Sequence, residues 1–333
     1  MATELTEVIE GSRLLSANAS IEATPDAILS ATSLRRTLGC GRLVYVPFLP
    51  RADIADTVAA CRRLVGEGLI PVPHLAARAV PSRRQLDDWL GLLTEAGTKR
   101  VLLIAGDARR PRGPFRDTLA VLETGLLVRH GIRHIDVAGY PEGHPRVADG
   151  ALWQALEQKA AYARETATEM WLVSQFAFEA APIAAWLAAL EKAEIGLPVR
   201  IGIPGPAQLR TLLGFALRCG VGASASAVIR RPVSALKLAA QWDPNTLLAD
   251  LARLRGTDQA GRLAGIHVYA FGGVRQAAAW LDAASVSAPS IDCAAHLPEP
   301  GTADRRAYGA RARFQPVPRR AEEETDHAGT DQP

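Results

Sequence analysis

The chain is predicted to be an α/β protein folded as a (β/α)8 TIM barrel, and three observations carry that prediction. Eight short apolar runs recur along it, segments with helically spaced apolar residues separate them, and no Gly-x-Gly-x-x-Gly follows the first run. The last observation weighs against the main alternative, a doubly wound open sheet that binds a dinucleotide at its first turn. The alternation extends over roughly 290 residues, the size of one such barrel. A chain of 333 residues, 48% hydrophobic, can bury a core of that size.

Taken in order, residues 1–12 read as an N-terminal extension and residues 13–296 as the barrel. Strands are expected at Leu14–Ile21, Arg42–Val46, Leu69–Leu75, Arg100–Ala105, Ile132–Ala138, Met170–Phe176, Pro198–Ile203 and Gly265–Phe271. Val101-Leu102-Leu103-Ile104-Ala105 and Ile266-His267-Val268-Tyr269-Ala270 read as continuous apolar stretches, as strands covered on both faces should. Leu86, Trp89, Leu90 and Leu93 fall at i, i+3, i+4, i+7 on a helix closed by Gly97. The same spacing recurs in Ile183, Trp186, Leu187 and Leu190 before Gly196, and in Leu209, Leu212, Leu213 and Leu217 before Gly220. From Leu297 the aliphatic residues thin out into Pro298-Glu299-Pro300-Gly301, an Arg-rich run and an acidic run, so 297–333 is expected to be a disordered tail.

Bulk properties exclude several classes. Lys and Arg total 38 against 35 Asp and Glu, a formal charge of +3, and no basic block suggests a nucleic-acid face. Cys40, Cys61, Cys219 and Cys293 are scattered without a CxxC pair or a Cys/His cluster, which predicts a reducing cytoplasm, no disulfide framework and no metal site. The acidic start lacks the layout of a signal peptide, and no uncharged apolar run approaches membrane-spanning length, so no membrane partner is expected. Oligomeric state is left open.

Candidate chemistry lies where the strands run out. Tyr140-Pro141-Glu142-Gly143-His144-Pro145 crowds an aromatic ring, a carboxylate and an imidazole between two prolines, which stop the ladder and push Tyr140 into an extended conformation. Such a loop reads either as a rigid turn or as a binding loop. The expected strand ends are Glu22, Pro47, His74, Asp107, Tyr140, Gln175, Pro204 and Phe271, richer in polar groups than a structural rim needs. Glu22 and Asp107 also fit solvated carboxylates, and His74 a satisfied, partly buried histidine. Gln175, between Ser174 and Phe176, must find partners in protein or ligand. Gly106 would let backbone approach a bound group.

These blocks together resemble methylenetetrahydrofolate reductase. Ser20-Ile21-Glu22-Ala23-Thr24-Pro25, Pro73-His74-Leu75, Ala105-Gly106-Asp107, the Tyr140–Pro145 loop and Ser174-Gln175-Phe176-Ala177-Phe178-Glu179 are similar to its motifs, in family order, across about residues 14–275. The resemblance implies an FAD-containing barrel that interconverts 5,10-methylene- and 5-methyltetrahydrofolate, with NADH or NADPH as electron donor. It implies that Glu22 is the general acid that protonates N10, with a pKa raised by burial beside Ile21 and Ala23. It implies that Asp107 favours the iminium cation, that Gln175 binds the pterin, and that Phe215 stacks on the substrate, although Phe215 also fits a core-facing helix position. His74, Tyr140 and His144 match flavin-contacting positions, Ala105, Gly106 and Asp107 fall in a flavin-side block, and Lys159 matches a phosphate-side cation.

The chain departs from the family pattern at several points. Ala23 and Thr24 replace aromatics, Val46-Pro47-Phe48-Leu49-Pro50 replaces a Thr-Tyr-Gly-like turn, and Ala105 replaces an Arg. The spacing from Lys159 to Gln175 is longer, and the last strand ends Ala270-Phe271-Gly272-Gly273 rather than Thr-Leu-Asn. The changes fall mostly on the nicotinamide side, so a folate-binding barrel without redox activity, or a flavin-free barrel enzyme acting on a folate, are the alternatives.

Overall fold

The computed structural model describes residues 2–49, 53–219, 240–258 and 261–285. Eight parallel strands close into a barrel: β1 (Ser20–Glu22), β2 (Leu43–Val46), β3 (Ile70–Ala76), β4 (Arg100–Ile104), β5 (His134–Gly139), β6 (Glu169–Phe176), β7 (Val199–Pro204) and β10 (Leu263–Tyr269). Each strand pairs with its neighbour in sequence, and closure comes from β1 on β10, with Ser20 opposite His267 and Ile21 opposite Val268. Between β7 and β10, the short strands β8 (Ala207–Gln208) and β9 (Gln241–Trp242) pair antiparallel. The predicted tail 297–333, Gly220 and Pro50 lie outside the described residues.

Strand alternation separates two cores. Ile21, Val44, Val46, Val101, Leu103, Ile135, Val137, Ile201, Ile203, Ile266 and Val268 belong to the large core between strands and helices. The residues between them face inward, where Tyr45, Val72, Leu102 and Val173 form a separate cluster. The same inward register holds Asp136, Arg200 and His267, all buried. The strands are covered on both faces, as the apolar runs suggested, but their inner face is partly charged.

The helix Arg83–Glu95 starts on Ser82, whose hydroxyl accepts from the Gln85 amide at 3.1 Å, and buries Leu86, Trp89, Leu90 and Leu93. Gly97 follows at φ +89°. The helix Ala180–Lys192 buries Ile183, Trp186 and Leu190, but Glu194 rather than Gly196 takes the left-handed turn, at φ +54°. On the helix Leu209–Cys219, Leu212 and Ala216 are buried whereas Leu217 is 75% exposed, so the inward face is rotated from the one the leucine spacing predicts.

Two expectations need correction. Leu14 and Leu15 are not in the first strand; they end an N-terminal helix, Ala2–Ala17, that also takes up the predicted extension. That helix packs on the helices Asn245–Thr257 and Val274–Ser285, and Gly11 lies so near the former that a Cβ would stand 3.0 Å from that of Ala252. Two adjacent leucines serve helix and strand equally, and this contact decides for the helix. Secondly, Cys40 is disulfide-bonded, so the cysteine argument for a reducing compartment loses its premise; Cys61 is buried and free. Among the described residues no helix is long and apolar enough to cross a membrane, and no group of His, Cys, Asp or Glu is placed to hold a metal ion.

Candidate active site at the barrel mouth

Glu22 ends β1 with its carboxylate inside the mouth, its side chain 22% exposed. Two imidazoles converge on the same oxygen: Oε2 lies 3.7 Å from His74 Nε2 and 3.9 Å from His267 Nε2. Both separations exceed a hydrogen bond, and neither buried nitrogen has a hydrogen-bond partner among the described residues. Opposite it on the ring, His267 Nδ1 is 2.9 Å from Ser20 Oγ, itself 3.4 Å from the Ile266 carbonyl. When the hydroxyl donates to Nδ1, an Nε2–H faces Glu22; when it turns to the carbonyl, Nδ1–H donates and Nε2 is bare. The Ser20 rotor is thus coupled to the proton facing the carboxylate.

Burial pushes the Glu22 carboxyl up, but the imidazoles of His267 and His74 that face it outweigh burial and hold the group below its ordinary value. This reverses the expectation of a raised pKa, which considered the apolar neighbours in sequence and not the imidazoles across the barrel. Burial holds His74 down to about 4 despite the attraction of Glu22, so it is neutral at pH 7.

Beneath this cluster lies a charged floor. The Tyr45 hydroxyl donates to Asp136 Oδ2 at 2.5 Å, and Arg100 Nε is 3.6 Å from Asp136 Oδ1. Arg200 donates to the Asn18 carbonyl at 2.7 Å, and its guanidinium lies 4.7 Å from the centre of the Trp171 ring. The Tyr45 ring stands 4.5 Å from that of His267, joining floor to mouth. Burial and Asp136 push the Tyr45 hydroxyl well above its ordinary pKa.

Gln175 owes its position to a register shift between Val173 and Phe176 on β6. Ser174 Oγ accepts from the Gly202 amide at 2.8 Å, and the Tyr269 hydroxyl donates to the Ser174 carbonyl at 3.1 Å. Gly202 is required, because a Cβ would come 2.7 Å from the Tyr269 ring. The bulge turns Gln175 so that its Oε1 accepts from the Phe176 amide at 3.2 Å. Phe215 sits nearby, half-buried and stacked on Phe271 with centroids 4.3 Å apart, within an aromatic cluster that includes Phe176, Phe178, Trp242 and Tyr269.

The remaining expected residues gather on the β4–β5 side. Gly106 takes φ +85° with Ala76 beneath it, and Ala105 precedes it without a charge. The Asp107 side chain is 92% exposed, its carboxylate 3.3 Å from Arg146 Nη2. Tyr140 and His144 meet edge to face at 5.0 Å, and His144 Nδ1 accepts from the Arg146 amide at 3.1 Å. Burial raises Tyr140 and lowers His144. Next to this loop is a cavity of about 460 Å³, walled by Tyr140, Trp153 and Trp186 among others, into which Lys159 is set. Lys159 is 8% exposed, forms no ion pair with a described residue, and is held down to about 8 by burial, Asp117 opposing. The aromatic walls suit a planar ring, while Glu142 and Asp149 line the cavity beside the Lys159 cation.

The structure therefore unites Glu22 with His74, Tyr140 with His144, and Asp107 with them through Arg146. It adds Ser20 and His267, which were not singled out from sequence because they sit inside runs read as apolar.

No protein-family profile matches the chain. A solved structure from Clostridium thermocellum, described as an uncharacterized protein that binds two copies of 5-methyl-5,6,7,8-tetrahydrofolic acid, superposes with a TM-score of 0.51 at 9% identity, covering 81% of this chain and 96% of that one. Dihydropteroate synthase from Thermus thermophilus aligns with a TM-score of 0.42 at 15% identity, over 81% and 94%. At these identities the likeness concerns the fold.

Proposed function

We propose that the chain is a folate-handling barrel enzyme of the methylenetetrahydrofolate reductase type, interconverting 5,10-methylene- and 5-methyltetrahydrofolate. The observation that carries the reading is the convergence of two buried imidazole nitrogens on Glu22 Oε2 at the barrel mouth. Opening an imidazolidine ring needs a proton at one ring nitrogen and tolerance of the resulting cation at the other. Glu22 provides the acid, and the Ser20 hydroxyl sets which tautomer of His267 faces it. The Clostridium thermocellum protein of the same fold, described as binding 5-methyltetrahydrofolate, supports the choice of a folate.

In the free protein Glu22 is held low, the opposite of what a general acid needs. A pterin seated over the mouth would exclude water from the exposed fifth of the side chain and add to burial, the influence that raises it. Because His74 is neutral at pH 7, its charge does not resist that rise. Acid strength is thus set by occupancy of the site. Gln175, with donor and acceptor on one amide, suits the pterin edge.

Flavin, when bound, would supply or accept the hydride. The residues present fit it in part: Lys159 would hold a phosphate in the cavity, opposed by Glu142 and Asp149 in its lining, with Tyr140 and His144 along the ring and Gly106 allowing close backbone approach. Ala105 contributes no cation, and Asp107 is engaged by Arg146. A cytoplasmic setting and NADH or NADPH as donor belong to the same proposal.

Purified protein is examined by visible spectroscopy and assayed in both directions. Flavin bands bleached by NADH or NADPH and restored by methylenetetrahydrofolate would support the reading. Folate binding without turnover in either direction would replace it with a non-redox folate-binding barrel. Glu22→Gln should abolish folate turnover and leave reduction by the nicotinamide donor nearly intact; equal loss of both would refute the acid role.

A further inference from the structure

The end of the barrel opposite the mouth, where the strands begin, carries its own cluster. Arg100 on β4, Trp171 on β6 and Arg200 on β7 alternate with residues of the outer core and so face inward. Both guanidiniums lie against the Trp171 ring, Arg200 Cζ at 4.7 Å from its centre and Arg100 Cζ at 5.7 Å. Stacking of this kind uses the face of a guanidinium and leaves its in-plane N–H groups for an acceptor. Two of those groups lack one. Arg100 Nε is buried, stands 3.6 Å from Asp136 Oδ1, and has no hydrogen-bond partner among the described residues. Arg200 is 7% exposed; it donates to the Asn18 carbonyl at 2.7 Å, but its buried Nε likewise has no hydrogen-bond partner among the described residues.

The charges at this end do not balance. Two guanidiniums share one buried carboxylate, Asp136, whose Oδ2 accepts from Tyr45 at 2.5 Å and whose Oδ1 faces Arg100. Tyr45 is not a second anion, because burial holds its hydroxyl protonated far above neutral pH. Glu169, at the start of β6, is part-exposed and stands 2.9 Å from His134 Nδ1, so water and His134 take up its charge. Arg200 is thus a buried cation without a carboxylate of its own. A guanidinium does not escape burial by losing its proton, so it needs a counter-charge.

We propose that the base of the barrel binds a small monovalent anion, of the size of chloride or formate, held by Arg100 and Arg200 beside Trp171. The anion would accept from the two Nε–H groups and supply the negative charge that Arg200 lacks. Asp136 stands close enough to repel a second negative charge, which disfavours sulfate and phosphate. The site lies near the strand starts, away from Glu22, and stands without the folate reading.

The test follows thermal unfolding of the full chain in sodium gluconate, a bulky anion, as chloride, formate or sulfate replaces it. Ionic strength is held at about 0.15 M, so that screening is the same in every sample. Chloride or formate should raise the melting temperature along a saturating curve, and sulfate should not. A response to chloride alone identifies a halide site; a response to formate as well identifies one that accepts oxyanions. The chloride-35 NMR line should broaden with wild-type protein and sharpen when formate competes. Arg200→Met should abolish the response and melt above wild type in gluconate, because it removes the unmatched buried charge. Arg100→Gln, which leaves Arg200 in place, should weaken the response roughly tenfold and serves if Arg200→Met does not fold. Equal melting temperatures in every anion, a response that sulfate reproduces, or one that survives in the folded variants would overturn the proposal.

Discussion

Lys159→Met should stabilise the protein at pH 7 and weaken its hold on anions. Lys159 projects from the helix Asp149–Thr166 into the cavity beside Tyr140, nearly buried, with burial drawing its ammonium from the ordinary 10.5 to about 8. A displacement of that size corresponds to about 3 kcal/mol by which folding disfavours the charged form. For a lysine whose folded pKa is depressed, the penalty is present in full below the folded value, fades as pH rises through the interval from about 8 to 10.5, and vanishes above the unfolded value. Methionine is unbranched and one atom shorter, and it removes the charge. Allowing for the lost attraction of Asp117 and imperfect repacking, the gain at pH 7 should be about 1–3 kcal/mol.

The assay is denaturant unfolding of wild type and variant at pH 7, 9 and 11, the difference between the two isolating this group from everything else that titrates. The gap should be largest at pH 7 and shrink to a small packing term at pH 11. Equal or lower stability of the variant at pH 7, or a gap independent of pH, would refute the reasoning. The companion measurement is thermal stabilisation by AMP or pyrophosphate, which should be larger for wild type, because a cation kept in a buried cavity at such cost is neutralised by a bound anion.

Three further outcomes follow from the same geometry. Tyr45→Phe removes the donor to Asp136 Oδ2 in the barrel floor and should lower stability by about 1–3 kcal/mol, read by urea unfolding; an unchanged midpoint would mean that Asp136 finds another partner. Ser174→Ala leaves the buried Gly202 amide without its acceptor and should cost a similar amount, about 1–3 kcal/mol, while Ser174→Thr should retain most of it if the bulge admits the methyl group. His267→Gln removes a group that holds the Glu22 carboxyl low, so the Glu22 titration, followed by carbon NMR of labelled glutamate, should move to higher pH. A titration that stays where it was would show that His74 and solvent govern the acid.

The barrel was legible because its outward face is simple: Val101 and Leu103, Ile135 and Val137, Ile201 and Ile203 alternate with residues of any kind, and every run of that sort became a strand. Failures came where two answers share one local pattern. Leu14-Leu15 suits either element until Gly11 meets Ala252. The leucines from 209 to 217 fit a helix, but the buried stripe runs through Leu212 and Ala216 while Phe215 turns to the aromatic cluster and Leu217 to solvent. Strand-end residues such as Glu22, His74 and Tyr140 could be found from sequence because a strand's end is visible there. Ser20 and His267 were hidden one step further in. A signal did exist. A lone polar residue at the inward phase of an apolar strand, as in Val199-Arg200-Ile201, Ile135-Asp136-Val137 and Ile266-His267-Val268, marks a side chain that the barrel interior must satisfy.

That signal separates the interior into two levels with different chemistry. In the floor, Tyr45 donates to Asp136 and Arg200 donates to a backbone carbonyl, while Arg100 Nε stands 3.6 Å from Asp136 Oδ1, an ion pair of opposite charges in contact. At the mouth, two imidazole nitrogens stop short of hydrogen-bond distance from one carboxylate oxygen, and His74, held near 4, does not cancel the Glu22 charge at pH 7. A folded chain that pairs opposite charges in the floor and leaves a carboxylate with neutral His74 at the opening favours a ligand that becomes cationic there. An iminium formed as a methylene bridge opens is such a species, and the proton that opens the bridge reduces the same carboxylate's charge when it returns. Directional preference is thereby linked to protonation: conditions that keep Glu22 charged favour the opened cation, and those that neutralise it favour proton delivery. The rate of folate turnover should accordingly respond to His267→Gln chiefly through its pH profile, with affinity for a stable 5-methyl product changing little; a large loss of that affinity without a displaced profile would assign His267 to binding instead.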